Sequence, residues 1–128
     1  MSSYLDQINW NKQGLVPVVT QDAQSGRVLM HAWINREALR TAVEEKRAVY
    51  WSRSRAKLWR KGEESGNSQR LVDVLLDCDN DAVCYQVEQA GGIACHTGRE
   101  SCFHQKLTDQ NWQVIDPVLS DPALLYNK

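Results

Sequence analysis

Asp77, Asp79 and Asp81 put three carboxylates within five residues, and ionised groups that close repel one another unless a hard cation neutralises them. A divalent ion such as magnesium suits those oxygens; an acidic turn open to water is the alternative that spacing alone leaves standing. Counted from Asp77, the acids also match positions 1, 3 and 5 of an EF-hand loop, with Glu88 at position 12. Position 6, where that loop needs glycine, is Ala82, and the flanking runs alternate like strands, which argues against it.

Of the four cysteines, Cys78, Cys95 and Cys102 lie in polar, turn-rich stretches. Cys84, between Val83 and Tyr85, reads as a small core or sheet residue. Three thiolates without paired C-x-x-C knuckles suit a zinc ion with one position left open, the arrangement of catalytic sites; three unrelated buried thiols are the bland alternative. If Asp77 to Asp81 is extended, the aspartates share one face and Cys78 takes the other, so ligand hardness would sort magnesium and zinc to opposite sides of one strand end. His96, next to Cys95, could move protons near neutral pH, or could be a plain surface histidine. His104 lies beyond the motif, and His31, in a strand-like run, reads as structural.

Five of the fifteen basic residues, Arg53, Arg55, Lys57, Arg60 and Lys61, fall in nine positions. With Ser52, Ser54 and Ser65 they could grip phosphate, although a solvated basic face has the same composition. Trp51 and Trp59 could stack on a base; most of the five tryptophans are expected in the core.

These groups need a frame. A chain of 128 residues, 42% apolar and 24% charged, predicts one domain with one core over 1–128. The net charge of -1 offers no general field for nucleic acid or an anionic membrane. The N-terminus lacks the pattern of a secretory signal, and no apolar run approaches membrane-spanning length, so the expected compartment is the cytoplasm, with reduced thiols. Leu15 to Thr20 and Val28 to Ile34, around a polar segment closed by Gly26, predict a β-hairpin. Asn35 as N-cap and Ala38, Leu39, Ala42 and Val43 at helical spacing predict a helix near 36–46. Strands are expected at 48–52, 71–76 and 82–87, and the tail from 108 to 128 carries only a weak pattern. The class is α+β, β-rich and mainly antiparallel.

Taken together, Tyr50-Trp51-Ser52-Arg53-Ser54-Arg55, Leu58-Trp59, Lys61-Gly62-Glu63, Ser65-Gly66, Asp77-Cys78-Asp79, Asp81-Ala82, Ala94-Cys95-His96-Thr97-Gly98 and Ser101-Cys102-Phe103 resemble the phosphoribosyl-AMP cyclohydrolase family of histidine biosynthesis. The resemblance covers about residues 10 to 107. It implies hydrolysis of the N1–C6 bond of the adenine ring of phosphoribosyl-AMP. It also implies zinc on Cys78, Cys95 and Cys102, magnesium on Asp77, Asp79 and Asp81, and an interlocked homodimer whose zinc site takes Cys78 from one subunit and the other two cysteines from its partner. His96 is the expected acid/base, and Trp51, Ser52, Arg53, Ser54, Arg55, Lys61 and Ser65 the expected substrate contacts. Cys84 is no part of the family pattern, and the short tail leaves no room for the pyrophosphohydrolase domain fused in some relatives. The H-x-E…P-C-x-x-C signature of zinc nucleobase deaminases is absent, so ring opening is favoured over loss of ammonia. A non-enzymatic module with zinc closed by His96 or His104 is the competing class.

Overall fold

The computed structural model describes residues 3–126. Strand β1 (Leu15–Asp22) turns back into β2 (Val28–Asn35), as expected, and the Asp22 carboxylate closes the turn by accepting the N–H groups of Gln24 and Ser25 at 3.1 and 2.7 Å. Helix α1 (Arg36–Glu45) starts where the Asn35 side chain accepts the Ala38 N–H at 2.8 Å, and ends at Lys46 in the left-handed region. It buries Ala38, Leu39 and Ala42.

The chain continues through β3 (Val49–Ser52) and β4 (Lys57–Arg60), which pair antiparallel as a separate two-stranded sheet. Strand β4 was not expected, because its basic residues hide the alternation of a strand. Strands β5 (Gln69–Leu76) and β6 (Val83–Gln89) form the next hairpin, and β6 lies parallel to β1, giving the order β2-β1-β6-β5. Leading into the weakly patterned tail, β7 (Gln105–Thr108) and β8 (Asn111–Val114) make a third hairpin, followed by α2 (Pro122–Tyr126). Its tight turn uses Asp109 and Gln110, both at positive φ, a geometry that usually announces itself by glycine or asparagine. No helix among the described residues is long and apolar enough to cross a membrane.

The core gathers Val16, Val18, Ile34, Leu39, Val49, Tyr85 and Val87 around a polar chain that needs its own partners. The fully buried Tyr50 hydroxyl donates to Gln69 Oε1 at 2.5 Å, so the Thr20 hydroxyl, 2.7 Å away, donates to Tyr50. Gln69 Nε2 passes the chain on to Gln89 Oε1 at 2.8 Å. Burial pushes the Tyr50 phenol well above its ordinary range, so it remains a neutral donor.

In contrast, β5 is an edge strand that exposes Val72, Val74, Leu75 and Leu76, and the C-terminal region exposes Phe103, Leu107, Trp112, Val114 and Ile115. Apolar edges of this kind are what a protein covers by association.

Replacing Tyr50 by phenylalanine leaves the Thr20 hydroxyl and Gln69 carbonyl without their shared partner. The expected loss is about 1–3 kcal/mol of stability, read from the urea midpoint; an unchanged midpoint would show that the chain is dispensable.

Candidate metal sites and substrate cleft

The β5–β6 connection, residues 77–82, is a turn, as one of the two sequence alternatives had it, and not an extended segment. Asn80 at φ +64° reverses the chain, the Asn80 N–H bonds the Asp77 carbonyl at 3.1 Å, and Asp77 Oδ1 accepts the N–H groups of Asp81 and Ala82 at 2.9 and 3.1 Å. Turning, instead of strand alternation, therefore brings Asp77, Asp79 and Asp81 together, with ligand oxygens within 4.8 Å of one another. The two-face argument fails with the extended geometry on which it depended. Crowding shows in the carboxyls: the hydrogen bond to Asp79, then desolvation and Asp77, raise Asp81 to about 6. At Asp77 desolvation opposes ionisation, but the two turn N–H groups hold it below the ordinary range. Three hard oxygens gathered this closely, one of them on a carboxyl that its neighbours keep from ionising, fit a divalent cation.

Cys95 and Cys102 come from a loop with no strand of its own. The loop folds on itself through Cys95 N–H to Arg99 O at 3.1 Å and Ala94 N–H to Glu100 O at 3.1 Å. It is fixed to β2 by the buried Ser101, whose hydroxyl donates to Val28 O at 2.8 Å, and by Cys102 N–H to Leu29 O at 2.7 Å. The buried Cys95 thiol lies 3.0 Å from the Thr97 hydroxyl. Cys102 is exposed as a residue, but desolvation of its thiol, then the charge of Cys95 and a hydrogen bond to it, push the thiol up to about 12. Two facing thiols, Cys102 within hydrogen-bond reach of Cys95, are a soft-metal donor pair, and they fit zinc. Cys78, exposed on the β5–β6 turn, does not join them: among the described residues, the aspartates are the one group of three potential ligands that meets. Cys84 is half-buried in β6.

His96 is exposed on the turn after Cys95 and has no hydrogen-bond partner among the described residues. His104 Nδ1 lies 3.1 Å from Ser101 O, and His31 is on the exposed side of β2, 5.9 Å from the Trp33 ring.

The seven expected substrate contacts separate across the β3–β4 hairpin. Ser52, Arg55, Lys61 and Ser65 line a cleft of about 350 Å³ with Lys57 and Trp59. Trp51 and Arg53 line a second of about 330 Å³, where the Arg53 guanidinium lies 4.5 Å from the Trp33 ring centre. Ser54 is exposed, its hydroxyl 3.4 Å from that of Ser52. Arg60 is engaged by Glu45 at 2.6 and 2.8 Å, which leaves Arg55 and Lys57 as cations of the first cleft with no salt bridge among the described residues. Lys61 turns inward and donates to Ala94 O at 2.5 Å, and the buried Ser65 hydroxyl accepts the Asn67 N–H at 3.2 Å.

Sequence reasoning missed the C-terminal segment. Leu119 N–H bonds Gly98 O at 2.8 Å, Arg99 Nε bonds Asp116 O at 3.0 Å, and Arg27 pairs with the Asp116 carboxylate. A Cβ on Gly98, at φ +84°, would collide with the Ser120 carbonyl. A glycine followed by tail residues of no clear pattern carried no signal of that contact.

The profile described as phosphoribosyl-AMP cyclohydrolase matches residues 30–104. A protein of that name from Azotobacter vinelandii is 59% identical over 126 residues, covering 98% of this chain and 95% of that protein. Another from Pseudomonas paraeruginosa is 60% identical over 126 residues, covering 98% and 94%.

Because the Asp81 carboxyl is raised from 3.8 to about 6, the folded protein keeps a proton that the unfolded chain releases. That contribution is complete below the unfolded value and lost as pH rises through 6. Chelator-treated Asp81→Asn protein should therefore be more stable than chelator-treated wild type at about pH 7.5, and the difference should close below about pH 4. Added magnesium should stabilise the wild type and leave the variant nearly unchanged. Equal urea midpoints at the higher pH would contradict the crowding.

Proposed function

Since the chain belongs to the phosphoribosyl-AMP cyclohydrolase family, an enzyme family of histidine biosynthesis, we propose that it opens the adenine six-membered ring of phosphoribosyl-AMP. Water adds at C6, the N1–C6 bond breaks, the oxygen stays on carbon as a carboxamide carbonyl, and N1 leaves protonated as part of the formimino group. The observation that carries the reading is the facing thiol pair Cys95 and Cys102, held on a pinned loop that Lys61 ties to the cationic cleft.

In this reading Cys95 and Cys102 hold zinc together with the partner subunit's Cys78, and Asp77, Asp79 and Asp81 hold magnesium. Zinc, when bound, supplies the Lewis acidity that makes water a nucleophile at neutral pH, and magnesium supplies positive charge beside an anionic substrate. Three thiolates carry more negative charge than zinc offsets, so a protein base is needed as well. His96 fills that role: exposed beside Cys95, it takes a proton from the attacking water and delivers it to N1. Arg55 and Lys57 in the first cleft, and Arg53 in the second, meet the phosphates, and Trp59 and Trp51 offer aromatic faces to the base. Phosphate and purine recognition by a few side chains fits a small molecule in the cytoplasm and needs neither nucleic acid nor membrane.

Support for a homodimer comes from the incomplete thiol set of one chain and from the apolar edge at β5. An interlocked arrangement would bury that edge and carry the Cys78 turn to the partner's loop.

Purified protein loaded with zinc should consume phosphoribosyl-AMP with loss of the adenine chromophore. Cys95→Ser and Cys102→Ser should lose both turnover and stoichiometric zinc, Cys84→Ser should retain both, and His96→Ala should keep zinc while turnover falls about a hundredfold or more. Full turnover by Cys95→Ser would overturn the zinc assignment, and an unchanged rate in His96→Ala would remove that residue from the proton path.

A further inference from the structure

Lysine is rarely buried without an anion beside it. Lys61 is 8% exposed, makes no salt bridge among the described residues, and spends one hydrogen bond on an uncharged group, the Ala94 carbonyl at 2.5 Å. An ammonium has three N–H donors, so two remain. The Trp59 ring, its centre 5.9 Å away, shields one side of the group. Burial lowers its pKa, while the Cys102 and Cys95 side chains draw it back up. The residue it bonds precedes Cys95 directly, and Gly62 after it leaves no room for a Cβ against the Ser68 backbone, so the chain around Lys61 is tightly seated.

We propose that Lys61 is a positioning residue of the Cys95–Cys102 half-site, tying down the Ala94 carbonyl and holding a fixed positive charge against the two sulfurs. The inference rests on the zinc reading above and goes beyond it by giving Lys61 a role toward the metal ligands instead of the substrate phosphates. Three thiolates on a divalent ion leave one negative charge, and a buried ammonium alongside brings the cluster to neutrality. Neutrality favours both retention of the metal and its pull on electrons, the two properties that groups behind metal ligands tune.

Lys61→Gln removes the charge and keeps an amide N–H donor one bond shorter than the ammonium, and Lys61→Met removes both charge and donor. Zinc affinity is measured by competition with a chromophoric chelator, and kcat and KM for phosphoribosyl-AMP are measured at saturating zinc. In Lys61→Gln zinc affinity should fall by about 10–100-fold and kcat by about tenfold or more, with KM within about twofold. Lys61→Met should be no better. Wild-type zinc affinity and kcat in Lys61→Gln would overturn the proposal, as would a raised KM with unchanged zinc affinity, the behaviour of a phosphate ligand. Loss of the folded circular dichroism spectrum in both variants would also overturn it, since the charge would then serve the fold. If the wild type itself binds no stoichiometric zinc, the metal reading fails. If the wild type binds zinc and Lys61→Gln binds it equally, only the role of Lys61 falls.

Discussion

The loop from Ile93 to Phe103 has no strand partner, so its position, and with it the whole thiol pair, depends on hydrogen bonds supplied from elsewhere. Ser101 and Cys102 fasten it to the start of β2, Lys61 fastens Ala94 from the end of β4, and Leu119 fastens Gly98 from the C-terminal segment. Each such bond contributes about 0.5–1.5 kcal/mol net, but a buried group left without its partner costs about 1–3 kcal/mol. The loop is therefore more strongly specified than its irregular backbone suggests. Residues far apart in sequence share one task, because a pair of donors is useful to a metal only within a few tenths of an ångström of its required geometry.

Both candidate metal sites have the same electrostatic character. At each, one group is kept from ionising by its surroundings: Asp81 on the β5–β6 turn is raised to about 6, chiefly through Asp79, and Cys102 on the pinned loop is raised to about 12 by desolvation and then by Cys95. A cation relieves both, a hard one at the oxygens and a soft one at the sulfurs. In the proposed enzyme the metals resolve a conflict that the chain alone holds unresolved.

Much of this was legible in the sequence wherever a local signal has a local cause. Asn35 before Ala38 and Leu39 announced α1, and Gly26 after a polar run announced the first hairpin. The clustering of the three aspartates on one connection was legible too, since they stand at alternate positions of five residues. What was not legible depends on contacts between distant residues. The convergence of the aspartates follows from Asn80 in a left-handed turn, and strand alternation described the wrong geometry. The inward course of Lys61 depends on a carbonyl 33 residues away, and a run of basic residues gives no hint of which one turns inward. Strand β4 and the β7–β8 hairpin escaped because charged residues and an Asp109-Gln110 turn lack the usual markers.

One chain presents two facing thiols, a third on a separate turn, and an apolar edge beside that turn. The central claim is that the third thiol serves the other subunit. Co-expression of Cys78→Ala with Cys95→Ala tests it directly, because each variant alone lacks a ligand at every site. In a mixed dimer one site lacks both ligands, but the other draws Cys78 from the Cys95→Ala chain and Cys95 with Cys102 from the Cys78→Ala chain. With random pairing about half the dimers are mixed and one of their two sites is intact, so roughly a quarter of wild-type activity should return. No recovery in a preparation shown to contain mixed dimers would contradict the shared site.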